Sequence, residues 1–174
     1  MFWEALILEL DKKTIHWCGE CQTPIILEGK RGVCSLCGAA TRHMCVDIRP
    51  VFPEERLLVE ILLQNPFEFL EQNVWASTRG RYYVDGKSVL VPQEQYSYKN
   101  AEFVRAALAE HSPKNSDKNF KASVDRFIKA NAAHLSVIEL EAMEFTRKAV
   151  EDCSTENIVI SFSGGKDNGK KIKM

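Results

Sequence analysis

Two closely spaced pairs of cysteines are the feature of the sequence with the clearest chemistry. Each pair encloses two residues, and twelve residues separate the pairs, which are Cys18, Cys21, Cys34 and Cys37. A two-residue spacing lets both sulfurs of a tight turn reach one cation, with backbone amides directed at the thiolates. Gly38 follows the second pair, where such a turn needs a residue that tolerates a positive φ. The pattern predicts a four-thiolate metal site of the zinc-ribbon kind.

Zinc is the expected ion, and its expected role is structural, because four protein ligands leave no open position for a substrate. An iron–sulfur cluster is one alternative, since four cysteines also ligate iron. Two disulfides are another, disfavoured in a reducing compartment. His16 and His43 flank the pairs and could replace a ligand. Cys45 and Cys153 lie outside the pattern and are expected to be small buried hydrophobic residues.

A short apolar run followed by glycines and a lysine is the second such feature. Residues 157–162 are largely β-branched, which is typical of a buried parallel strand. The residues that follow are Ser163, Gly164, Gly165, Lys166 and Asp167. Glycines let backbone N–H groups approach an anion, the lysine adds a mobile cation, and the serine adds a hydroxyl donor. The segment predicts a phosphate-binding loop, with a Gly-Gly turn and a solvated lysine as the alternative.

Residues 158–167, IVISFSGGKD, resemble the PP-loop of the adenine-nucleotide α-hydrolase superfamily. The preceding helical stretch looks like that of the phosphoadenosine phosphosulfate (PAPS) reductase family. An archaeal and bacterial subset of that family carries an N-terminal zinc ribbon, a segment similar to residues 47–55 and a motif like residues 83–87. The resemblance covers nearly the whole chain up to Asp167. It implies a doubly wound α/β domain that binds PAPS or ATP, with the phosphate or sulfate held by Ser163, Gly164, Gly165, Lys166 and Asp167.

The sequence departs from this family after Asp167. The family usually continues with a serine and an apolar helix, whereas Asn168 and a glycine- and lysine-rich end stand here. The remaining strands, the adenine pocket and the family's C-terminal catalytic cysteine are not found. The resemblance therefore implies the N-terminal portion of a PAPS-reductase-like protein of sulfur metabolism, truncated and inactive alone. A partner chain could supply the rest of the domain, whose complete form would be an oxidoreductase that reduces PAPS by thiol attack.

Binding of nucleic acid, or a role in RNA modification, is the competing interpretation. Zinc ribbons commonly bind RNA or DNA, and a predicted hairpin interleaves basic and aromatic residues, namely Arg79, Arg81, Tyr82, Tyr83 and Lys87. The opposite expectation is that the tyrosines pack in the core and the arginines are solvated. The formal net charge is −1, so this function would need a local basic patch. A third interpretation is an interaction scaffold held by zinc alone.

The elements that must position these residues indicate an α+β chain in four stretches. These are a zinc ribbon with an opening strand (1–49), a small β-rich α+β domain (50–110), a linker (111–119), and the helices, first strand and PP-loop of an incomplete α/β domain (120–174). The second stretch should contain a helix between Pro53 and Pro66 and a hairpin that turns at Asp85 and Gly86. A helix over residues 101–110 should direct its apolar side chains inward, namely Phe103, Val104, Ala107 and Leu108.

The last stretch is predicted to be helical over residues 120–131 and 133–152. In the second of these helices an apolar residue recurs every three or four positions, at Leu135, Ile138, Ala142, Phe145 and Ala149. Hydrophobic residues make up 45% of the chain, which is typical of globular proteins. No apolar run is long enough for a membrane span, and the N-terminus lacks the features of a signal peptide. The sequence predicts a cytoplasmic location.

Overall fold

A computed structural model describes residues 13–29, 31–77, 80–91, 101–111 and 117–152. The chain divides into two compact units, Met1–Ala132 and Ala133–Met174. Within the described residues the fold is mixed, with two small antiparallel sheets and four helices. The predicted opening strand at residues 2–9 and the predicted strand at 157–162 lie outside them, as does Cys153.

The first sheet carries the first cysteine pair at one end. Its strands are β1 (Lys13–Cys18), β2 (Thr23–Glu28) and β3 (Arg42–Cys45), in the order β2-β1-β3. The register of β1 on β2 runs from Lys13 opposite Glu28 to Cys18 opposite Thr23. The turn that follows therefore starts at a cysteine and returns directly into β2.

The second sheet contains the predicted hairpin. It consists of β4 (Arg49–Pro50), β5 (Val74–Ala76), β6 (Tyr82–Val84) and β7 (Lys87–Val89), in the order β4-β5-β6-β7. Asp85 and Gly86 connect β6 to β7 with φ of 47° and 73°. Positive φ at both central residues gives the twist that a two-residue hairpin needs, so the prediction of this turn is confirmed.

The two sheets share a core within the first unit. One cluster joins residues of the first sheet to residues of the second, and consists of Ile15, Trp17, Cys45, Trp75 and Tyr83. The Cys45 thiol donates to the carbonyl oxygen of Asp47 at 3.1 Å. Cys45 is therefore a buried core residue, as predicted.

The hairpin turn lies directly against this core. A Cβ atom added to Gly86 would overlap the ring of Trp17, whereas one added to Gly80 would meet no atom within 4 Å. Both glycines have a φ near 72°, so an alanine at either pays the same conformational cost of about 1–2 kcal/mol. We expect Gly86→Ala to lower the free energy of unfolding by about 1–3 kcal/mol more than Gly80→Ala does. Urea titrations of the two variants would measure this difference, and equal losses would contradict the packing of the turn on Trp17.

Helix α1 (Pro53–Leu62) begins with a proline at its first position and two glutamates in its first turn. It ends at Leu62, before Pro66. Glu60 connects the helix to the turn that follows through side-chain hydrogen bonds. The fully buried Glu60 carboxylate accepts the N–H groups of Phe67 and Phe69 at 3.0 and 2.8 Å. It also forms an ion pair with the buried Arg56 at 3.3 Å.

The remaining helices are α2 (Ala101–Glu110), α3 (Asp117–Ala130) and α4 (Ala132–Asp152). The three helical segments predicted from the sequence are confirmed, but α3 begins three residues earlier than expected, so the end of the predicted linker is helical. Helix α2 lies against α1 but buries none of its residues. The expectation that Phe103 points inward is wrong, because 57% of it is exposed, and Leu108 is exposed as well. None of the helices in the described part of the chain is long and apolar enough to cross a membrane.

Candidate metal centre

The four predicted cysteines come together at the end of the first sheet. Their Sγ atoms all lie within 4.8 Å of one another. Cys18 Sγ is 3.6 Å from Cys37 Sγ, and Cys21 Sγ is 3.8 Å from Cys34 Sγ. All four are free thiols, since a disulfide would bring two sulfurs to about 2.05 Å. The group is a four-cysteine cluster that could hold a metal ion.

Two tight turns present these sulfurs. The N–H of Cys21 points at Cys18 Sγ and that of Leu36 at Cys34 Sγ, both at 3.4 Å. Gly38 has a φ of 73° and donates its N–H to the carbonyl oxygen of Cys34 at 2.9 Å, as its place after the second pair predicts. Gln22 takes the matching position after the first pair, with a φ of 48°.

The sulfur separations allow a test of whether a tetrahedral ion fits. A metal–sulfur bond of about 2.3 Å in a regular tetrahedron places the sulfurs about 3.8 Å apart. The two short separations, 3.6 and 3.8 Å, agree with this edge length. Cys18 and Cys34 are buried and Cys37 is exposed, so one side of the cluster faces solvent. The residues present therefore fit one tetrahedral thiolate-bound ion.

The protein environment shifts the thiol pKa values in opposite directions. Burial raises the pKa of Cys18. The hydrogen bond with the Cys37 side chain, followed by burial, raises the pKa of Cys21 to about 12. Burial also acts to raise the pKa of Cys34, but the backbone N–H groups of Cys37 and Leu36 outweigh it, and this pKa falls below its ordinary value. Without a metal ion, Cys34 thus ionises more readily than Cys18 or Cys21, and Cys21 stays protonated at neutral pH.

These shifts predict a pH-dependent metal affinity. A metal ion must displace the protons of Cys18 and Cys21, whose raised pKa values keep them bound at neutral pH. The apparent affinity should rise with pH, by about tenfold per pH unit for each proton displaced. A competition titration against a chelator, corrected for the chelator's own protonation, would measure this slope between about pH 6 and pH 8. An affinity that stays constant across that range would contradict the pKa shifts.

The C-terminal end of α3 covers the cluster from a distant part of the sequence. Ala130 packs against Cys18, Ile25 and Cys34, and its carbonyl oxygen accepts a hydrogen bond from Ser35 Oγ at 2.5 Å. The spacing of the cysteines carries no information about this contact, because Ser35 and Ala130 are 95 residues apart in the chain. Composition alone would not have placed Ala130 beside the thiols.

Asn131, which follows α3 directly, forms hydrogen bonds with backbone groups on the free edge of β2. Its Oδ1 accepts the N–H of Ile26 at 2.7 Å, and its Nδ2 donates to the carbonyl oxygen of Pro24 at 3.0 Å. The side-chain amide thereby occupies the place of a neighbouring strand. Only 4% of Asn131 is exposed, so these hydrogen bonds are shielded from water. The sheet that bears the first cysteine pair is thus fastened to the end of α3.

Neither flanking histidine belongs to the cluster. Among the described residues, the group that could hold a metal ion consists of the four cysteines. His16 is fully buried, and its ring nitrogens lie 3.1–3.3 Å from Thr14 Oγ1, the Gly29 carbonyl oxygen and Thr41 Oγ1. His43 packs edge-on against it, with ring centroids 5.5 Å apart. His16 therefore acts as a hydrogen-bonded core residue.

The hairpin residues considered for nucleic-acid binding have mixed environments. Tyr83 is 5% exposed and lies in the core, whereas Tyr82 is partly buried and donates its hydroxyl to Glu55 Oε1 at 2.9 Å. Arg81 and Lys87 are exposed, and Arg79 lies outside the described residues. The tyrosines therefore contribute to packing, and the two basic side chains that are described face solvent.

The predicted phosphate-binding loop, Ser163, Gly164, Gly165, Lys166 and Asp167, also lies outside the described residues. The fold and the site define a small mixed α/β protein with a four-cysteine cluster. No protein-family model, curated protein or solved structure matches the chain.

Proposed function

We propose that Cys18, Cys21, Cys34 and Cys37 hold one structural Zn²⁺ ion. The observation that carries this proposal is the compactness of the four sulfurs, all within 4.8 Å of one another, with two separations, 3.6 and 3.8 Å, close to the edge of a single ZnS₄ tetrahedron. In an iron–sulfur cluster some of the thiolates bind different iron atoms and therefore lie farther apart than the ligands of a single ion, whereas all four Sγ atoms here lie within 4.8 Å of one another. Free thiols also suit a reducing location such as the cytoplasm.

The ion would join the two turns that carry the cysteines. It would link the turn between β1 and β2 to the loop that contains Cys34 and Cys37. Structural zinc sites contribute an apparent ~10–16 kcal/mol to the folding of small modules. Four thiolates saturate the ion, so its role is to stabilise the fold, and no substrate reaches it. Through Ala130 and Asn131 the ion would also support the end of α3.

Elemental analysis with cobalt exchange tests the identity and geometry of the ion. The full-length protein, purified under reducing conditions, should contain one equivalent of zinc and little iron. Cobalt substituted for the zinc should produce the visible absorption of a tetrahedral thiolate complex. A brown protein with several iron atoms per chain would show that the site holds an iron–sulfur cluster and not zinc. A folded protein without bound metal would also contradict the proposal.

We further propose that the chain belongs to a PAPS-reductase-like protein of sulfur metabolism, and that Ser163, Gly164, Gly165, Lys166 and Asp167 hold the phosphate or sulfate group of an adenine nucleotide. This proposal is supported by the sequence IVISFSGGKD at residues 158–167 and by the helical character of the preceding segment, α4. The nucleotide would supply the group to be reduced. The residues named would bind and orient it, and no reduction step is assigned to this chain.

Calorimetry with PAPS, and separately with ATP, tests the nucleotide proposal. Binding of PAPS should be lost in Lys166→Ala and kept in Lys170→Ala, a matched change in the same lysine-rich segment. Tighter binding of ATP than of PAPS would contradict a PAPS site and would indicate an ATP-dependent reaction instead. No binding of either nucleotide, or equal effects of the two substitutions, would overturn it.

RNA binding is a second proposed function, favoured by the exposed Arg81 and Lys87 on the hairpin. Contacts of these side chains with phosphate groups would release counterions, so the affinity should fall as salt rises. Filter binding of tRNA across a salt series would measure this dependence for the wild-type protein and for Arg81→Ala with Lys87→Ala. An affinity unchanged by salt or by the double substitution would refute it.

A further inference from the structure

Helix α4 exposes an apolar surface that is too large for a helix surrounded by water. Almost every described residue of α4 is exposed, including 47% of Ile138 and 75% of Phe145. In proteins, most of the stability of a helix comes from packing its apolar face against another surface. A face with these side chains therefore needs a partner surface, and its own pattern indicates which one.

The apolar residues follow a seven-residue repeat. Leu135, Ile138, Ala142, Phe145 and Ala149 are separated by three, four, three and four residues. This spacing places them at alternating a and d positions of a two-helix coiled coil. Exposed apolar side chains also lie outside the stripe, among them Leu140 on the opposite side of the helix at 65% exposure, but they do not continue the seven-residue repeat.

We infer that the stripe on α4 pairs with the same stripe of a second copy of this chain, in the antiparallel direction. In that direction Phe145 lies opposite Ala142 of the second copy, and Ile138 lies opposite Ala149. In these layers each large side chain meets an alanine, which fills the space evenly, and Leu135 lies at the end of the contact, opposite position 152. A parallel pair would instead stack two phenylalanines in one layer and two alanines in the next, leaving a gap at each alanine layer.

Charge complementarity favours the same direction. Glu141 and Lys148 occupy the g positions that flank the stripe, and in an antiparallel pair each Glu141 faces Lys148 of the other copy. The two-fold symmetry produces this attraction twice. In a parallel pair Glu141 would face Thr146, and no such attraction would form. Lys148 already reaches Glu144 of its own helix at 3.0 Å, but its side chain is 63% exposed and free to turn toward the partner.

The size of the contact sets the expected affinity. About 18 paired residues give a contact about 27 Å long. Such a contact buries on the order of 1,000 Å² in total, which is near the lower limit of specific interfaces. The dimer should therefore dissociate in the micromolar range. This inference does not depend on nucleotide or RNA binding.

Sedimentation velocity of the full-length protein in reducing, zinc-containing buffer tests the pairing, from about 1 µM to about 300 µM. The wild type should pass from monomer to dimer over this range. Phe145→Gln should raise the dissociation constant at least about tenfold, since it removes the largest apolar contact. Leu140→Gln, an equally drastic change on the opposite face, should leave it unchanged. Circular dichroism would confirm that both variants keep α4 helical.

A charge exchange tests the antiparallel direction. Glu141→Lys places like charges together twice and should weaken the dimer about tenfold. Adding Lys148→Glu to that variant should recover most of the lost affinity. A wild type that remains monomeric throughout would overturn the inference, whether other residues of the chain cover the stripe or it stays free. If Phe145→Gln leaves the dissociation constant unchanged, or if Leu140→Gln raises it equally, the contact lies elsewhere and the inference is also overturned. A dimer that Glu141→Lys leaves intact would exclude the antiparallel arrangement.

Discussion

The Cys34→Ser variant should lose its zinc and the stable fold of the first sheet. Cys34 is 2% exposed, and backbone N–H groups lower the pKa of its thiol, which favours the thiolate that binds the metal. A serine hydroxyl stays protonated at neutral pH and is a poor zinc ligand. The remaining three thiols, two of them with raised pKa values, would bind the ion weakly. We expect several of the ~10–16 kcal/mol attributed to such sites to be lost. Zinc content and thermal unfolding would measure the effect.

Cys45→Ser is the matched control for this prediction. Cys45 is also buried, at 8% exposure, but its thiol donates to a backbone carbonyl oxygen and lies outside the cluster. A serine hydroxyl can keep that hydrogen bond, so we expect a full equivalent of zinc and a loss of only about 1 kcal/mol. The interpretation fails if Cys34→Ser retains its zinc and melts as the wild type does, or if both variants lose zinc equally.

Glu60→Ala should strongly destabilise the fold outside the cysteine cluster. Glu60 has no exposed surface, and it accepts two backbone N–H groups while pairing with Arg56. Alanine would leave those two donors and a buried guanidinium without this partner. Breaking a buried ion pair in this way typically costs about 3–5 kcal/mol, which is a large share of the stability of a small protein. Urea unfolding of zinc-loaded protein would measure the loss.

Two further variants separate the charge of Glu60 from its hydrogen bonds. Glu60→Gln keeps an acceptor oxygen but not the negative charge, so its stability should lie between those of the wild type and Glu60→Ala. Glu54→Ala changes an exposed residue in the first turn of the same helix and should cost less than about 1 kcal/mol. A Glu60→Ala protein no less stable than Glu54→Ala would show that the buried pair does not hold the turn after α1.

The features predicted correctly from the sequence are those that neighbouring residues determine. The cysteine cluster follows from a two-residue spacing within each pair, and the hairpin from Asp85 and Gly86 between two apolar runs. Helices α1 to α4 follow from apolar periodicity and from the position of Pro53. In each case the backbone conformation and the side chains that require it lie within a few residues of one another.

The features that the sequence did not reveal depend on contacts between distant segments. Asn131 completes the edge of β2 more than a hundred residues away, and nothing local distinguishes it from a surface asparagine. The contact of Gly86 with Trp17 depends in the same way on how the two sheets meet. Phe103 was expected to be buried because its helix has an apolar face, yet periodicity reports only which side of a helix is apolar. It does not establish that another element covers that side.

Removal of the metal from the intact protein tests the central claim most directly. Amide chemical shifts of the full-length chain would be recorded with one equivalent of zinc, after treatment with a strong chelator, and again after zinc is restored. The account predicts that the signals of β1, β2 and residues 34–38 collapse in chelator, that those of Ala130 and Asn131 shift with them, and that zinc restores all of them. A protein that is purified free of metal, and whose spectrum is unchanged by the chelator, would contradict it.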